Sequence, residues 1–110
     1  MDDVEPIISR YFALHGITFK TDVPPWLREQ LVMGYRVEME HGSRLDTRLN
    51  ITRDSIPVTI KIALAHLLES PDYYTRLKEM EKQADIHWDS HKSELSGKKT
   101  ELNVLINAVK

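Results

Sequence analysis

The stretch "IPVTIKIALAHLLE" (residues 56–69) decides the predicted fold. On a helix with about 100° per residue, five of its apolar side chains share one face: Ile60, Ala63, Leu64, Leu67 and Leu68. Three more lie behind that face: Val58, Ile62 and Ala65. A helix that is apolar on nearly every side usually lies inside a protein. We therefore predict a central helix, because "ALAHLLE" (63–69) also continues the weak strand-like alternation of "PVTIKI" (57–62) without a break.

Helical patterns also occur on both sides of this central stretch. We predict four of them, over residues 4–15, 25–41 and 71–88 and from Thr100 onward. Gly16 is placed to end the helix over 4–15, and Gly42 the helix over 25–41. Gly97 is placed to break the helical pattern that precedes Thr100. "ITFKTDVPP" (17–25) is predicted to be an extended connector, because each proline restricts the residue before it. The predicted fold class is all-α: a small single-domain bundle of four to five helices, with helix three (about 56–69) central.

The C-terminal segment has an amphipathic pattern of its own. Its apolar residues recur at i, i+3, i+4 and i+7 and form what we call the C-terminal stripe: Leu102, Leu105, Ile106 and Val109. We therefore expect a helical domain over residues 1–96 and a C-terminal amphipathic helix or arm over 97–110. The arm either folds back onto its own domain or binds a partner, which is a second copy or another protein, through residues 100–109.

Composition excludes several classes of function. The chain has no cysteine, so disulfides, thiolate catalysis and cysteine-based zinc fingers are excluded. A net charge of −2 gives no support for binding nucleic acid or an anionic membrane. The sequence holds no run of about 18 apolar residues, which a membrane span needs, and its acidic N-terminus does not resemble a secretion signal. We expect a cytoplasmic protein with no nucleic-acid or membrane partner.

Polar residues fall on faces that should be buried. In helix two, Glu38 and His41 lie inside the apolar face, about 60° apart. In helix three, His66 and Glu69 have the same three-residue spacing, and Glu81 of helix four lies near the edge of its core face. Burying a carboxylate without a partner costs several kcal/mol. These side chains therefore need each other, a tyrosine, a backbone donor or a metal ion.

Two interpretations of these residues remain open. The Glu-x-x-His spacing is that of di-iron bundles, and oxygen and nitrogen ligands without sulfur suit zinc, iron or manganese. The candidate metal ligands are Glu38, Glu40, His41, His66 and Glu69, with His41 close to His66, and the supporting residues are Tyr73, Tyr74 and Glu81. In the other interpretation the same residues form a hydrogen-bonded polar core, in which His66 bonds Glu38 and a tyrosine (Tyr35, Tyr73 or Tyr74) satisfies the remaining oxygens. His87 and His91, four residues apart, could also bind a metal, although their polar surroundings favour a solvated face.

"GYRVEMEHG" (34–42) and "KIALAHLLESPDYYTRLKEMEKQA" (61–84) together resemble an uncharacterised domain family of bacteria and their phages. The mark of that family is a Glu-His-Gly element followed by His-Leu-x-Glu-x-Pro-x-Tyr-Tyr-x-x-Leu and a Met-Glu pair. The resemblance covers about residues 28–84. Ten residues of this range align with signature positions of the family: Glu40, His41, Gly42, His66, Glu69, Pro71, Tyr73, Tyr74, Met80 and Glu81. The family signature includes Glu40, whereas helical phase places Glu38 inward. Both glutamates therefore remain candidate ligands. The resemblance implies a bacterial or phage-infected host cell, and it implies no activity.

Three functional hypotheses follow. The first is a helical module that binds a divalent metal or a small ligand at the inward-facing His/Glu/Tyr cluster. The second is a structural or adaptor protein of phage type, whose polar cluster only stabilises its core. The third is a metal-dependent hydrolase or oxidase, but the sequence has no nucleophile motif and no nucleotide-binding loop. The sequence therefore favours a protein that is not an enzyme, and the enzyme hypothesis stays open.

Overall fold

The computed structural model describes residues 4–39 and 55–109. Within these ranges the chain is helical and contains no strand. The described helices are α1 (Glu5–Ala13), α2 (Phe19–Asp22), α3 (Pro25–Met39), α4 (Ile56–Glu69), α5 (Tyr73–Asp89) and α6 (Lys92–Ala108). The all-α prediction is confirmed. The described residues form six helices, whereas four to five were predicted.

The N-terminal part confirms the end of α1 and corrects the connector after it. Gly16 has a φ of 74°, the left-handed conformation that glycine adopts without strain, so α1 ends there as predicted. The predicted extended connector is wrong, because it contains the short helix α2. The backbone N–H of Thr18 donates to Oδ2 of Asp22 (2.7 Å), which satisfies a free donor at the start of α2. Phe19 is buried and stacks on Phe12, so burial of its ring stabilises this turn.

The chain divides into two compact units, the first of which ends at Tyr74. In the first unit α3 packs against α4, and α1 contacts both of them. The core of this unit contains large side chains from each of these helices, from α2 and from the start of α5: Ile8, Phe12, Phe19, Leu31, Ile60, Leu67 and Tyr74. This packing places the C-terminal half of α3 beside α4, where the predicted polar residues lie.

Helix α4 has the predicted boundaries but a narrower buried face than expected. Ser55 caps it, because its Oγ accepts a hydrogen bond from the N–H of Val58. Its buried residues are Thr59, Ile60, Ala63 and Leu67. Leu64 is 37% exposed and Leu68 is 88% exposed, so the prediction that both face the core is wrong. In the part of the chain described here, α4 therefore buries one face against α3 and α1 and leaves apolar residues on the other.

The second unit begins at Thr75 and holds the rest of α5 and α6. Helix α6 passes through Gly97, so the predicted break at that residue is wrong, and the predicted boundary between residues 96 and 97 lies inside a helix. A glycine inside a helix costs only about 1 kcal/mol relative to alanine. Gly97 is one of the 17 residues of α6, so this cost does not interrupt the helix. From Thr75 to Val109 no residue is buried. None of the described helices is long and apolar enough to cross a membrane.

Candidate functional site

Glu38 places a carboxylate inside the first unit. It follows Leu31, Gly34 and Tyr35 at spacings of i, i+3, i+4 and i+7, and all four residues are buried. Glu38 itself is only 4% exposed. The prediction from helical phase that Glu38 faces inward is therefore confirmed.

Tyr74 supplies a hydrogen bond to this carboxylate. Its hydroxyl donates to Oε2 of Glu38 over 2.8 Å, between two buried residues that are 36 positions apart in the sequence. A hydrogen bond to an ionised acceptor is stronger than one between neutral groups. The prediction that Tyr73 or Tyr74 supplies a phenol to the cluster is thus confirmed, and the residue is Tyr74.

Gly34 makes room for the Tyr74 ring on α3. A Cβ atom added at Gly34 would overlap that ring and would lie 2.8 Å from Cζ of Tyr74. Real Cβ atoms do not approach a side chain so closely. The absence of a side chain at Gly34 therefore allows the Tyr74 ring to lie close to α3, one turn before Glu38.

Gln30 binds the backbone of the same tyrosine. Its Oε1 accepts a hydrogen bond from the N–H of Tyr74 (3.1 Å), and Gln30 is buried. The first N–H groups of a helix have no acceptor within the helix, so this side chain satisfies one at the start of α5. Residues 30, 34 and 38, each four positions apart on α3, thus all contact Tyr74.

His66 lies at the solvent side of the cluster. Its Nε2 is 3.5 Å from Oε2 of Glu38, which is an ion-pair distance rather than a short hydrogen bond. Its side chain is 34% exposed, while that of Glu38 is almost fully covered. The imidazole stacks on the Tyr73 ring with centroids 4.3 Å apart and planes at 4°, and it meets the Tyr74 ring edge-on. We call Glu38, His66, Tyr73 and Tyr74 the polar cluster.

Burial and charge keep the phenol of Tyr74 in its protonated form. Removal from water raises the pKa of Tyr74 well above its ordinary value, and the hydrogen bond to the Glu38 carboxylate raises it further. A protonated phenol is what a carboxylate acceptor requires. Tyr74 is therefore a hydrogen-bond donor at neutral pH and not a candidate base.

The other predicted site residues do not complete this cluster in the structure. Glu69, the last residue of α4, and Glu81 on α5 are both exposed, so their predicted inward placement is wrong. Glu40 and His41 lie outside the described residues, as does Gly42, so the predicted approach of His41 to His66 stays a prediction. Across residues 4–39 and 55–109, no three His, Asp or Glu side chains come together as a metal site would require.

Two residues of the site were not among the predicted ones. Gln30 bonds the backbone of Tyr74 and Gly34 leaves room for its ring, yet neither is a metal-ligating or titratable residue. The signal that could have revealed them is the i, i+4, i+8 series of Gln30, Gly34 and Glu38, which places a polar residue, a gap and a carboxylate along one apolar face.

The arrangement combines a buried carboxylate with a partly exposed imidazole. A carboxylate beside one ring nitrogen of a histidine fixes the orientation of the ring, and in metal proteins it also raises the basicity of the other nitrogen. The same contacts connect α3, α4 and the first two residues of α5, because each contributes to the polar cluster. The cluster therefore has the geometry to stabilise the first unit and to orient His66 toward solvent.

Comparison with known proteins gives one match. No curated protein and no solved structure matches this chain. The family model described as "Protein of unknown function (DUF5661)" matches residues 10–83, a range that contains every residue of the polar cluster. The expectation of an uncharacterised domain family is therefore confirmed, and this small helical chain belongs to the DUF5661 family.

Proposed function

We propose that this protein is a small helical interaction module of structural or adaptor type. In this proposal the polar cluster stabilises the first unit, and the helices of the second unit bind protein. The observation that carries the proposal is the exposure of apolar side chains from Thr75 onward: Met80, Ile86, Leu102, Leu105 and Val109 are each more than half exposed.

Helices that bury nothing need another source of stability. An isolated helix shorter than about 12–15 residues is marginal in water, and most helices in proteins are stabilised by packing of an apolar face. Helix α6 has 17 residues and none of them is buried. Its C-terminal stripe is apolar at Leu102, Leu105 and Val109, all largely exposed. A contiguous exposed apolar face marks an interaction surface.

A second copy of the chain is the partner we propose for this face. The part of α5 from Thr75 to Asp89 carries three basic and four acidic residues, and α6 carries three basic and two acidic ones. The two segments thus have small net charges of opposite sign, so charge does not oppose their association between copies. A pairing of two copies would cover the stripe without requiring any other protein.

The oligomeric state of the full chain tests this proposal. We expect sedimentation equilibrium to give a dimer for the wild type and a monomer for the Leu102→Glu/Leu105→Glu variant. Val104→Glu is the control, because Val104 lies on the opposite side of α6, is 68% exposed and also exchanges an apolar side chain for glutamate. It should remain dimeric. A wild type that is monomeric at every concentration, or a control that dissociates equally, would contradict a dimer held by the stripe.

A second candidate function is binding of a divalent metal ion at Glu38 and His66. Zinc lies about 2.0–2.2 Å from imidazole nitrogen and carboxylate oxygen, so two ligands of one tetrahedral ion lie roughly 3.3–3.5 Å apart. The observed separation of His66 Nε2 and Glu38 Oε2 is 3.5 Å. We propose that Glu40 and His41 provide further ligands, with zinc, iron or manganese as the ion.

Elemental analysis and zinc titration test this second candidate. The titration uses the full chain carrying His87→Ala and His91→Ala, which removes the other histidine pair. Adding His66→Ala or Glu38→Gln should abolish the heat of zinc binding, whereas adding His15→Ala should not, because His15 is exposed and distant in sequence from the cluster. Zinc binding that survives His66→Ala would exclude this site.

A further inference from the structure

His87 and His91 lie together at the junction of α5 and α6, within the second unit. His87 belongs to the last turn of α5, and His91 is the residue that precedes α6. Their rings are stacked, with centroids 4.2 Å apart and planes at 9°. Both residues are exposed, so neither ring is held in the core.

A hydrogen bond determines which nitrogen of His91 carries its proton. Nδ1 of His91 lies 2.7 Å from the carbonyl oxygen of His87, and since a carbonyl can only accept, Nδ1 must donate. In neutral His91 the lone pair is therefore on Nε2. Histidines that bind metals usually donate their other ring N–H in this way, to a backbone carbonyl or a carboxylate, which fixes the tautomer and orients the ring.

The end of α5 also favours a cation. The C-terminus of a helix carries a partial negative charge, which stabilises positive charge in its last turn. The carbonyl of His87 lies in that turn and accepts from the N–H of Ser90 as well as from His91. The ion pair of Lys92 with Asp89 at the same junction has side chains that are more than three-quarters exposed, so it is strongly solvated.

We propose that His87 and His91 form a two-histidine site for a divalent transition-metal ion of the zinc and nickel class. Imidazole nitrogens suit these ions, and the two rings lie side by side with centroids 4.2 Å apart. Two side chains leave the remaining coordination positions to water, in keeping with the absence of any group of three such ligands among the described residues.

The stacked rings must rearrange to bind one ion, because two parallel planes cannot both contain it. His91 is held by its hydrogen bond, so His87 is the ring that turns about its Cβ–Cγ bond until its nitrogen faces the ion beside Nε2 of His91. Trp88 lies edge-on to His87, with centroids 4.7 Å apart. Its fluorescence therefore reports occupancy of the site.

Titration of the full chain with Zn²⁺ and with Ni²⁺ tests the proposal. Zn²⁺ binding is measured by calorimetry, and Ni²⁺ binding by quenching of Trp88 in a Trp26→Phe background, which removes the other tryptophan. We expect one equivalent of either ion to bind at this histidine pair. His87→Ala and His91→Ala should each weaken binding by about tenfold or more, since each removes one of two ligands. His15→Ala is the matched control and should bind as the wild type does.

Circular dichroism of each variant shows whether the helices persist. His87→Gln provides a second variant that retains polarity and length but not the imidazole, so it should lose binding without altering α5. No binding of either ion to the wild type would overturn the proposal. Equal binding by the wild type, His87→Ala and His91→Ala would also overturn it. Loss of binding in His66→Ala, with binding retained in both junction variants, would assign the ion to the polar cluster instead.

Discussion

The hydroxyl of Tyr74 donates a 2.8 Å hydrogen bond to the buried carboxylate of Glu38. This bond connects the start of α5 to the C-terminal half of α3 inside the first unit. Both side chains lie in the core, where polar groups are hydrogen-bonded because water does not reach them.

Tyr74→Phe should destabilise the protein by about 2 kcal/mol, because hydrogen bonds to charged groups contribute about 1.5–3 kcal/mol. The free energy of unfolding is measured in urea by circular dichroism. Tyr11→Phe is the control, since Tyr11 is only partly buried, and it should change stability much less. Equal losses in the free energy of unfolding for the two substitutions would show that the hydrogen bond to Glu38 adds no stability.

Two glycine substitutions should act in opposite directions. Gly34→Ala should destabilise by about 1–3 kcal/mol, because the new methyl group overlaps the Tyr74 ring and overpacking has costs of that order. Gly97→Ala should stabilise α6 by up to about 1 kcal/mol, because alanine favours helix and a Cβ there meets no atom within 4 Å. Thermal unfolding of both variants checks the pair. A Gly34→Ala protein as stable as the wild type would show that the Tyr74 ring can move aside.

The stability of the protein should fall at alkaline pH in a way that depends on Tyr74. Its pKa is raised in the folded state, first by burial and then by the bond to Glu38. Its contribution is therefore fully present below the unfolded-state pKa of about 10 and is lost as the pH rises beyond it. The advantage of wild type over Tyr74→Phe in urea should be constant from pH 7 to pH 9 and should shrink by pH 11. An advantage that does not change over this range would contradict a raised pKa.

His66→Ala should destabilise the first unit by about 1–3 kcal/mol, because the buried Glu38 carboxylate then loses a neighbouring donor. Unfolding in urea provides the measurement. His15→Ala serves for comparison, as His15 is exposed and its ring lies beside that of Tyr11, away from the polar cluster in the sequence. A stability unchanged by His66→Ala would mean that His66 contributes nothing to the stability of the buried carboxylate.

Truncation after Ser96 removes the C-terminal stripe together with most of α6. Under the proposed function the shortened chain should be monomeric, and its first unit should unfold at the same urea concentration as a monomeric Leu102→Glu/Leu105→Glu chain. Sedimentation and urea unfolding are measured together. Unchanged assembly accompanied by lost stability would instead indicate that the arm folds back onto its own domain.

Local signals in the sequence determined where several helices begin and end. Ser55 caps α4 and Gly16 ends α1 in a left-handed conformation, because these effects depend only on a few neighbouring atoms. Helical phase likewise predicted that Glu38 faces inward on α3, since helical periodicity is a property of the backbone. The helical class and the identity of two cluster residues, Glu38 and His66, follow from patterns of this kind.

Tertiary packing decided the rest. Burial of Phe19 against Phe12 produced α2 where two prolines had predicted an extended chain. The choice of Tyr74 over Tyr73 as donor to Glu38 depends on the gap at Gly34, and the exposure of Leu68 depends on which helices lie beside α4. Periodicity shows which side chains share a face, but only the three-dimensional position of the neighbouring helices determines which part of an apolar face is covered and which buried polar atoms meet.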